Sequence, residues 1–506
     1  MLIILVKRYH LGTEKVMYTQ DKKLRGEKFM ENNSKSSVVY QGKIPGRVKY
    51  SFAFGALGKD LIYGMIATFS MIYFTDIIKV APAFIGTMFF VAKIWDAFND
   101  LFMGMLVDNT RSRYGKFIPW LVVGTLINAF VFVIVFTDFH LTGVNLCIFA
   151  SVIYVLWGMT YTIMDIPYWS FIPAITRPGK ERENISSMAR SCAGIGSAVP
   201  TVLTMVVVPL LGGGSAMADY RIGFKYWALA VAVIFVVSEV ICCLNVKEKN
   251  EESVESHGIK EMFKSLLSND QAIIVVIAII LINTSLYLTS NLVIYFFTYD
   301  IGDGEGAYSL FSAFGGASQI IAMMLFPLFR KKMEKKGVFR FAIIAEIAGY
   351  ALLLAVTFSG IINVSINPSS WLLLLVPAFM IFAGSGLLNV LTTIFLSDTI
   401  EYGQMKNNRR DESVIFSMQT FVVKLASGFA ALLAGIAISV IGLKTGNGMT
   451  AADQSLSAVI GLRFVMTVIP IGGLAVAAVI FMKKYILDEN KMNEISQVLT
   501  DRQKMI

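Results

Sequence analysis

Charge is scarce in this chain. Asp, Glu, Lys and Arg make up 16% of its 506 residues, against about 25% in a soluble domain, which excludes a water-facing surface over most of the molecule. Cysteine is scarce as well. Cys147, Cys192, Cys242 and Cys243 lie in or at the edge of apolar runs and lack any CxxC spacing, so neither a zinc site nor a disulfide framework is indicated. The long apolar runs do not alternate with polar residues as barrel strands would, which excludes a β-barrel. What the chain has in quantity is apolar sequence: 56% hydrophobic residues, 37 Phe and 40 Gly, with a mean hydropathy of +0.65. About 20 apolar residues span a bilayer, so the length allows roughly a dozen crossings with short loops. The net charge of +9 is a topology signal and not a nucleic-acid signal, because the basic residues sit in loops between apolar runs.

The first fifty residues differ from the rest. Met1 to Val6 is apolar but too short to span, and Lys7, Arg8 and a long polar stretch follow. Arg25-Gly26-Glu27 can be encoded by a purine-rich ribosome-binding sequence just ahead of Met30. Either translation starts at Met30 and residues 1–29 are not made natively, or they form a disordered cytosolic tail. Apolar segments then fall at 52–78, 83–107, 118–138, 144–174, 189–211, 225–246, 271–298, 307–329, 338–362, 370–396, 413–443 and 459–482. This predicts an all-α polytopic membrane protein with twelve transmembrane helices. Alternate loops hold eighteen Lys and Arg, including Arg111, Arg113, Lys116, Arg182, Arg330, Lys335 and Arg410, while the opposite loops hold only Lys79, Arg221, Lys225 and Lys444. That asymmetry places both termini in the cytosol. The longest and most charged connection, 247–270, separates a six-helix half at 51–246 from another at 271–484, and 485–506 forms a cytosolic tail. The halves echo each other at Tyr114-Gly115-Lys116 and Lys336-Gly337, and again at Arg182-Glu183 and Arg410-Asp411-Glu412. Two similar halves around a cavity are the architecture of a secondary transporter.

Ionisable groups at bilayer depth cost roughly 2.5 kcal/mol or more each, so they normally face a cavity or a partner. The expected spans hold Lys59, Asp60, Lys93, Asp96, Asp100, Asp165, Arg190 and Lys424, a neutral set that suggests mutual pairing. Glu346 stands apart in the ninth span and reads as structural. Lys93, Asp96 and Asp100 are spaced i, i+3, i+7 and share one helix face. The plain reading is a buried Lys93–Asp96 pair. The alternative is a sodium or proton site, since two carboxylates one turn apart repel unless a cation sits between them, and Asn99 and Thr162 add the neutral oxygens that a hard cation accepts. On the fourth span Tyr161, Asp165 and Trp169 recur every four residues. A carboxylate accepting two hydroxyls beside a flat indole suits a polyhydroxylated ring. Asp60 supplies a second carboxylate, with Lys59, Arg190 and Lys424 as donors or counter-ions. Trp169 could instead be an interface anchor.

The runs FGALGKD (54–60), KIWDAFND (93–100), DNTRSRYGKFIPW (108–120), LWGMTYTIMDIPYWSFIPAIT (156–176) and SDTIEYGQMKNNRRDESVIFSMQTFVVK (397–424) resemble those of the melibiose carrier-like glycoside-pentoside-hexuronide:cation symporters. The resemblance spans about residues 45–485 and implies the major facilitator fold. It further implies that Asp96, Asn99, Asp100 and Thr162 bind the cation and that Asp60 and Asp165 hold sugar hydroxyls. Lys59, Trp169, Arg190, Gln419, Thr420, Val423 and Lys424 would then line the sugar cavity. Two departures remove aromatic surface: Asn389 stands where a cavity tryptophan is expected, and Ala67 where these carriers have a tyrosine.

The expectation is a symporter of the bacterial inner membrane that couples sodium or proton entry to uptake of a sugar, a galactoside or related glycoside. It has no resident cofactor, no enzymatic activity and no nucleic-acid partner, and its partners are the sugar and the lipid bilayer. The rival is a proton-coupled carrier of a pentoside, a hexuronide or another small polar solute, although a hexuronide would favour more cavity cations than this set contains. Arg111, Arg113 and Lys116, with Arg410 and Glu412, are expected to lock the cytosolic face. A solvated topogenic surface is the plainer reading of those charges.

Overall fold

The computed structural model describes residues 43–214, 217–248, 267–302, 304–362, 367–407, 410–444 and 450–505. The expectations for residues 1–42 and for most of the 247–270 connection lie outside these residues. The helices are α1 (Gly46–Ile72), α2 (Pro82–Asp108), α3 (Ile118–Val135), α4 (Gly143–Ile175), α5 (Lys180–Gly212) and α6 (Met217–Asn245), followed by α7 (Asp270–Phe296), α8 (Gly304–Lys332), α9 (Lys335–Phe358), α10 (Leu375–Asn407), α11 (Glu412–Val440), α12 (Leu456–Lys484) and α13 (Glu489–Met505). Among the described residues no strand occurs, and eleven helical segments are long and apolar enough to cross a membrane. The twelfth span is α2, 27 residues long but carrying Lys93, Asp96 and Asp100 along its middle.

Several helices run past their apolar runs at the end with the basic loops. The fifth span starts at Lys180 and not at 189, and the tenth continues to Asn407 and not to 396. Hydropathy misses these turns because they are charged. They stay helical because their charges are partnered: Glu181 and Glu183 favour the positive N-terminus of α5, and Asp398 and Glu401 of α10 meet Lys335 and Arg182. The tail contains α13, whose Met492 and Ile495 are buried and whose Glu489 accepts from Arg330 at 3.0 Å.

Within residues 46–245, α1 packs on α5 and α6, and α3 on α4 and α6; within 270–484, α7 packs on α12 and α9 on α10 and α12. Between these sets the contacts are α2 with α11, α5 with α8, α4 with α11, α5 with α10 and α4 with α10. This pattern maps onto itself when each helix is exchanged for the one six places away. The repeat shows in detail at the end opposite the basic loops. Both α1 and α7 finish in a π-turn, Tyr73–Ile77 (YFTDI) and Phe297–Ile301 (FTYDI). Beside the first, Arg221 of α6 donates to Asp138 at 2.7 Å and to the Ile77 carbonyl at 3.1 Å. Beside the second, Arg463 of α12 donates to Asp300 at 2.6 and 2.7 Å and to the Thr357 carbonyl at 2.6 Å. Each arginine therefore ties three helix ends of its own half together.

Close helix crossings bring the site helices into register. At Gly64 an added Cβ would lie 2.4 Å from the Ser197 carbonyl, and at Gly104 it would lie 2.3 Å from Ser417 Oγ, so α1 meets α5 and α2 meets α11 almost backbone to backbone. Of the two expected glycine echoes, Gly115 adopts φ +100°, whereas Gly337 lies within the first turn of α9. That echo is in sequence, not in backbone shape.

Candidate functional site

The side chains singled out in α1 and α4 converge. Lys59 is buried, with its ammonium 2.9 Å from Asp60 Oδ2, 2.6 Å from Asp165 Oδ1 and 3.4 Å from the Tyr161 hydroxyl. Asp165 also accepts from the Trp169 indole N–H at 3.1 Å. The Arg190 guanidinium carbon lies 3.7 Å from the Trp169 ring centroid, and the Lys59 ammonium lies 4.8 Å from it. Arg190 Nε donates to Thr393 Oγ1 at 2.9 Å and so connects α5 to α10 across the seam. Trp169 is thus part of a buried cluster and not an interface anchor.

The second group lies on α2, α4 and α11. Thr162 Oγ1 donates to Asp100 Oδ1 at 2.8 Å, and the Lys424 ammonium lies 2.8 Å from Asp100 Oδ2 and 4.0 Å from Asp96 Oδ2. Asp96 Oδ1 and Asn99 Nδ2 are buried without a hydrogen-bond partner. Asp96 reaches this position because α4 carries a glycine opposite it: a Cβ on Gly158 would lie 2.4 Å from Asp96 Oδ1. Lys93 is exposed. The buried Lys93–Asp96 pair is therefore not formed, and Lys424, from the other half, is the cation beside these carboxylates. On α11, Gln419 is buried and Thr420 and Val423 half-buried, with the Thr420 hydroxyl donating back to the Ser417 carbonyl at 2.9 Å. Asn389 is half-buried one turn before Thr393, and Ala67 is exposed on α1.

Polar links between the halves gather at the end with the basic loops. Lys116 Nζ lies 2.9 Å from Asp108 and 2.5 Å from Glu412, and Asp108 accepts the Ser413 and Val414 amides at 3.1 and 2.9 Å. Burial pulls the Lys116 ammonium down, but the Asp108 and Glu412 carboxylates outweigh it and hold it above its usual range. Arg410 pairs with Glu412 and donates to the Pro173 carbonyl at 2.8 Å. The pseudo-equivalent set is Arg330 on Glu183 at 2.7 and 2.9 Å, and Arg182 on Glu401 at 2.6 and 2.9 Å. Of the expected locking residues, Arg410 and Glu412 stand in this network. Arg111 and Arg113 are exposed, with Arg113 over the Tyr114 ring, and the loop's link across the seam is made by Lys116.

Sequence reasoning passed over several residues. Trp157 continues the four-residue stripe of Tyr161, Asp165 and Trp169, and its ring lies 5.5 Å from Tyr161, with Tyr63 of α1 at 5.6 Å from the same ring. The spacing alone would have found Trp157. Glu239 of α6, buried with neither carboxylate oxygen partnered, was legible as a charge inside an apolar run. Thr393 carries no such signal.

The sequence pattern described as MFS/sugar transport protein matches residues 51–489. The lactose permease of Lactobacillus delbrueckii subsp. bulgaricus is 30% identical over 464 residues, covering 88% of this chain and 71% of that one. The isoprimeverose transporter of Lactiplantibacillus pentosus is 26% identical over 477 residues, covering 93% and 96%. Among solved structures, the proton:xylose symporter XylE bound to 6-bromo-6-deoxy-D-glucose superposes with a TM-score of 0.62 at 11% identity, covering 90% of this chain and 98% of that one. That likeness shows the fold. With the family pattern running through residues 51–489 and the helices arranged as in that solved structure, this chain is a multi-pass membrane protein of the major facilitator fold and belongs to the MFS/sugar transport protein family.

Proposed function

We propose that this protein is a sugar:cation symporter in which the Lys59, Asp60, Asp165, Trp169 and Arg190 cluster takes the sugar and the Asp96, Asp100, Asn99 and Thr162 group takes a sodium ion or proton. One observation carries the reading. Because Lys93 is exposed, three cationic side chains at site depth, Lys59, Arg190 and Lys424, stand against four carboxylates, Asp60, Asp165, Asp96 and Asp100. One monovalent cation balances the set, and the carboxylate oxygen with the weakest coverage is on Asp96. Burying an uncompensated charge is costly, so cation binding stabilises the loaded carrier.

The relatives' names, a lactose permease and an isoprimeverose transporter, favour a glycoside as the solute. Asp60 and Asp165 would exchange part of their hold on Lys59 for sugar hydroxyls, with the Trp169 and Tyr161 rings along the apolar face. The two six-helix halves, 51–246 and 271–484, rock about this midplane site, in a bacterial inner membrane with the basic loops in the cytosol. The Lys116–Glu412 and Arg330–Glu183 links must part for release into the cytosol. Coupling needs no direct contact between ligands: Thr162 and Asp165 lie on the same helix, so a cation that fixes α2 against α4 also fixes the sugar carboxylate, and each ligand raises the other's affinity equally.

The experiment is uptake of a panel of labelled glycosides into vesicles with imposed sodium or proton gradients. The reading requires accumulation of at least one glycoside above its external concentration under one of the two gradients. Equilibration without accumulation under both would overturn the cation coupling, and uptake of none of the panel would overturn the sugar.

A further inference from the structure

Glu239 lies on α6 where that helix crosses α1 most closely. A Cβ on Gly58 would lie 1.7 Å from Ser238 Oγ, and one on Gly55 would lie 3.1 Å from Cys242 Cβ. The residue after Gly58 is Lys59 and the residue after Ser238 is Glu239, so the two charged side chains leave the same tight contact. Glu239 is 1% exposed and both its carboxylate oxygens lack a donor. A buried carboxylate without a donor or counter-ion is neutralised by a proton. The charged groups within its electrostatic reach are Lys59 and Asp60 of α1 and Asp165 of α4. The other titratable groups near it are Tyr161 and Tyr168 of α4 and Cys242 and Cys243 of α6. The facing stretch of α5 carries Arg190, which is stacked on Trp169, and Cys192, while α3 has no titratable group in its span.

Among the described residues Lys59 is thus the one cation in reach, and Asp60 and Asp165 already hold it. We infer that Glu239 is a proton-binding site separate from the Asp96–Asp100 group, and that it is the alternative counter-ion of Lys59. It is protonated while Asp60 and Asp165 hold the ammonium and ionised when those carboxylates are taken by another ligand. In that exchange the O–H bond of the Glu239 carboxyl breaks, the proton passes to water in the cavity, and the carboxylate left behind pairs with the Lys59 ammonium. The part concerning sugar rests on the proposed role of Asp60 and Asp165; the protonation itself does not.

The test needs no sugar. Infrared difference spectra are taken between the wild-type protein and Glu239→Gln, both ligand-free in liposomes at neutral pH, and then between Asp60→Asn/Asp165→Asn and the same double variant carrying Glu239→Gln. Bands from Glu346 and from the Asp96–Asp100 group are common to each pair and cancel. The first difference is expected to show the C=O stretch of one protonated carboxyl group, unchanged on adding saturating sodium chloride. The second is expected to show a carboxylate band instead, because Lys59 has lost its other partners. Glu239→Leu replaces Glu239→Gln if the amide does not fold. A carboxylate band in the first difference, loss of the carboxyl band with sodium, or a protonated band persisting in the double variant would each overturn the inference, and none of these outcomes bears on sodium binding at Asp96 and Asp100.

Discussion

Lys424 of α11 and Asp100 of α2 form an ion pair at 2.8 Å across the seam between the halves. The carboxylate proposed to take the cation is thereby held by an ammonium belonging to the opposite half. On the proposed reading a bound cation must share or displace that ammonium, which would link ion occupancy to how the halves sit against each other.

Replacing Asp100 by Asn removes one carboxylate of the pair and touches no contact of the Lys59 cluster. Sugar is expected still to bind and to equilibrate, while accumulation against a gradient vanishes and sodium no longer raises sugar affinity, as reciprocal linkage requires. Asn99→Ala refines the assignment: sodium stimulation should disappear with proton-driven uptake retained. Sodium-driven accumulation at wild-type levels in Asp100→Asn would remove Asp100 from the ion site.

Asp60→Asn and Asp165→Asn each remove an ionised acceptor. Hydrogen bonds to charged groups are worth roughly 1.5 to 3 kcal/mol, so sugar binding should weaken about ten-fold or more in each. Sodium binding measured alone, by calorimetry on the sugar-free protein, should persist. An unchanged sugar affinity in either variant would count against the assignment.

Gly158→Ala places a methyl group 2.4 Å from Asp96 Oδ1 and forces that carboxylate away from α4. The expected result is a sodium affinity lower by about ten-fold, a loss of roughly 1.4 kcal/mol, with cation-independent sugar binding little changed. Equal loss of both would show a general distortion of α4.

The proposed lock at the basic end is tested by charge exchange. Glu412→Lys sets like charges beside Lys116 and should shift the carrier towards the conformation open on that side, read as faster labelling of single cysteines placed in the seam. Lys116→Glu combined with Glu412→Lys should bring labelling back towards the wild-type rate. No recovery in the double variant would mean that the contact is incidental.

Glu248 accepts the Phe117 and Ile118 amides at 3.0 to 3.1 Å, at the start of α3, and packs against Gly115. Glu248→Ala leaves those donors unpaired, which should lower stability by about 1 kcal/mol. Thermal unfolding in detergent reads this as a lower midpoint, with uptake in intact membranes retained. An unchanged midpoint would show that water replaces the carboxylate at no cost.

Apolar length and the period of charges determined most of this protein. Twelve spans follow from runs of about 20 residues that the bilayer alone selects. The shared faces of Asp96 with Asp100, and of Tyr161, Asp165 and Trp169, follow from helix geometry within one span. The helical first turns of α5 and last turns of α10 were hidden from hydropathy because their charges are partnered only by other helices, Arg182 with Glu401 and Arg330 with Glu183 across the seam and Lys335 with Asp398 within one half. Sequence spacing could propose Lys93 as the partner of Asp96, since both lie on one helix. Only the packing of α11 on α2 brings Lys424 to those carboxylates and leaves Lys93 exposed. The same holds for Arg190 on Trp169, for Arg182 on Glu401 and for Glu239 behind Lys59. Contacts between helices far apart in sequence depend on which faces meet at the Gly58, Gly64 and Gly104 crossings, and that is set by three-dimensional packing, which no local period encodes.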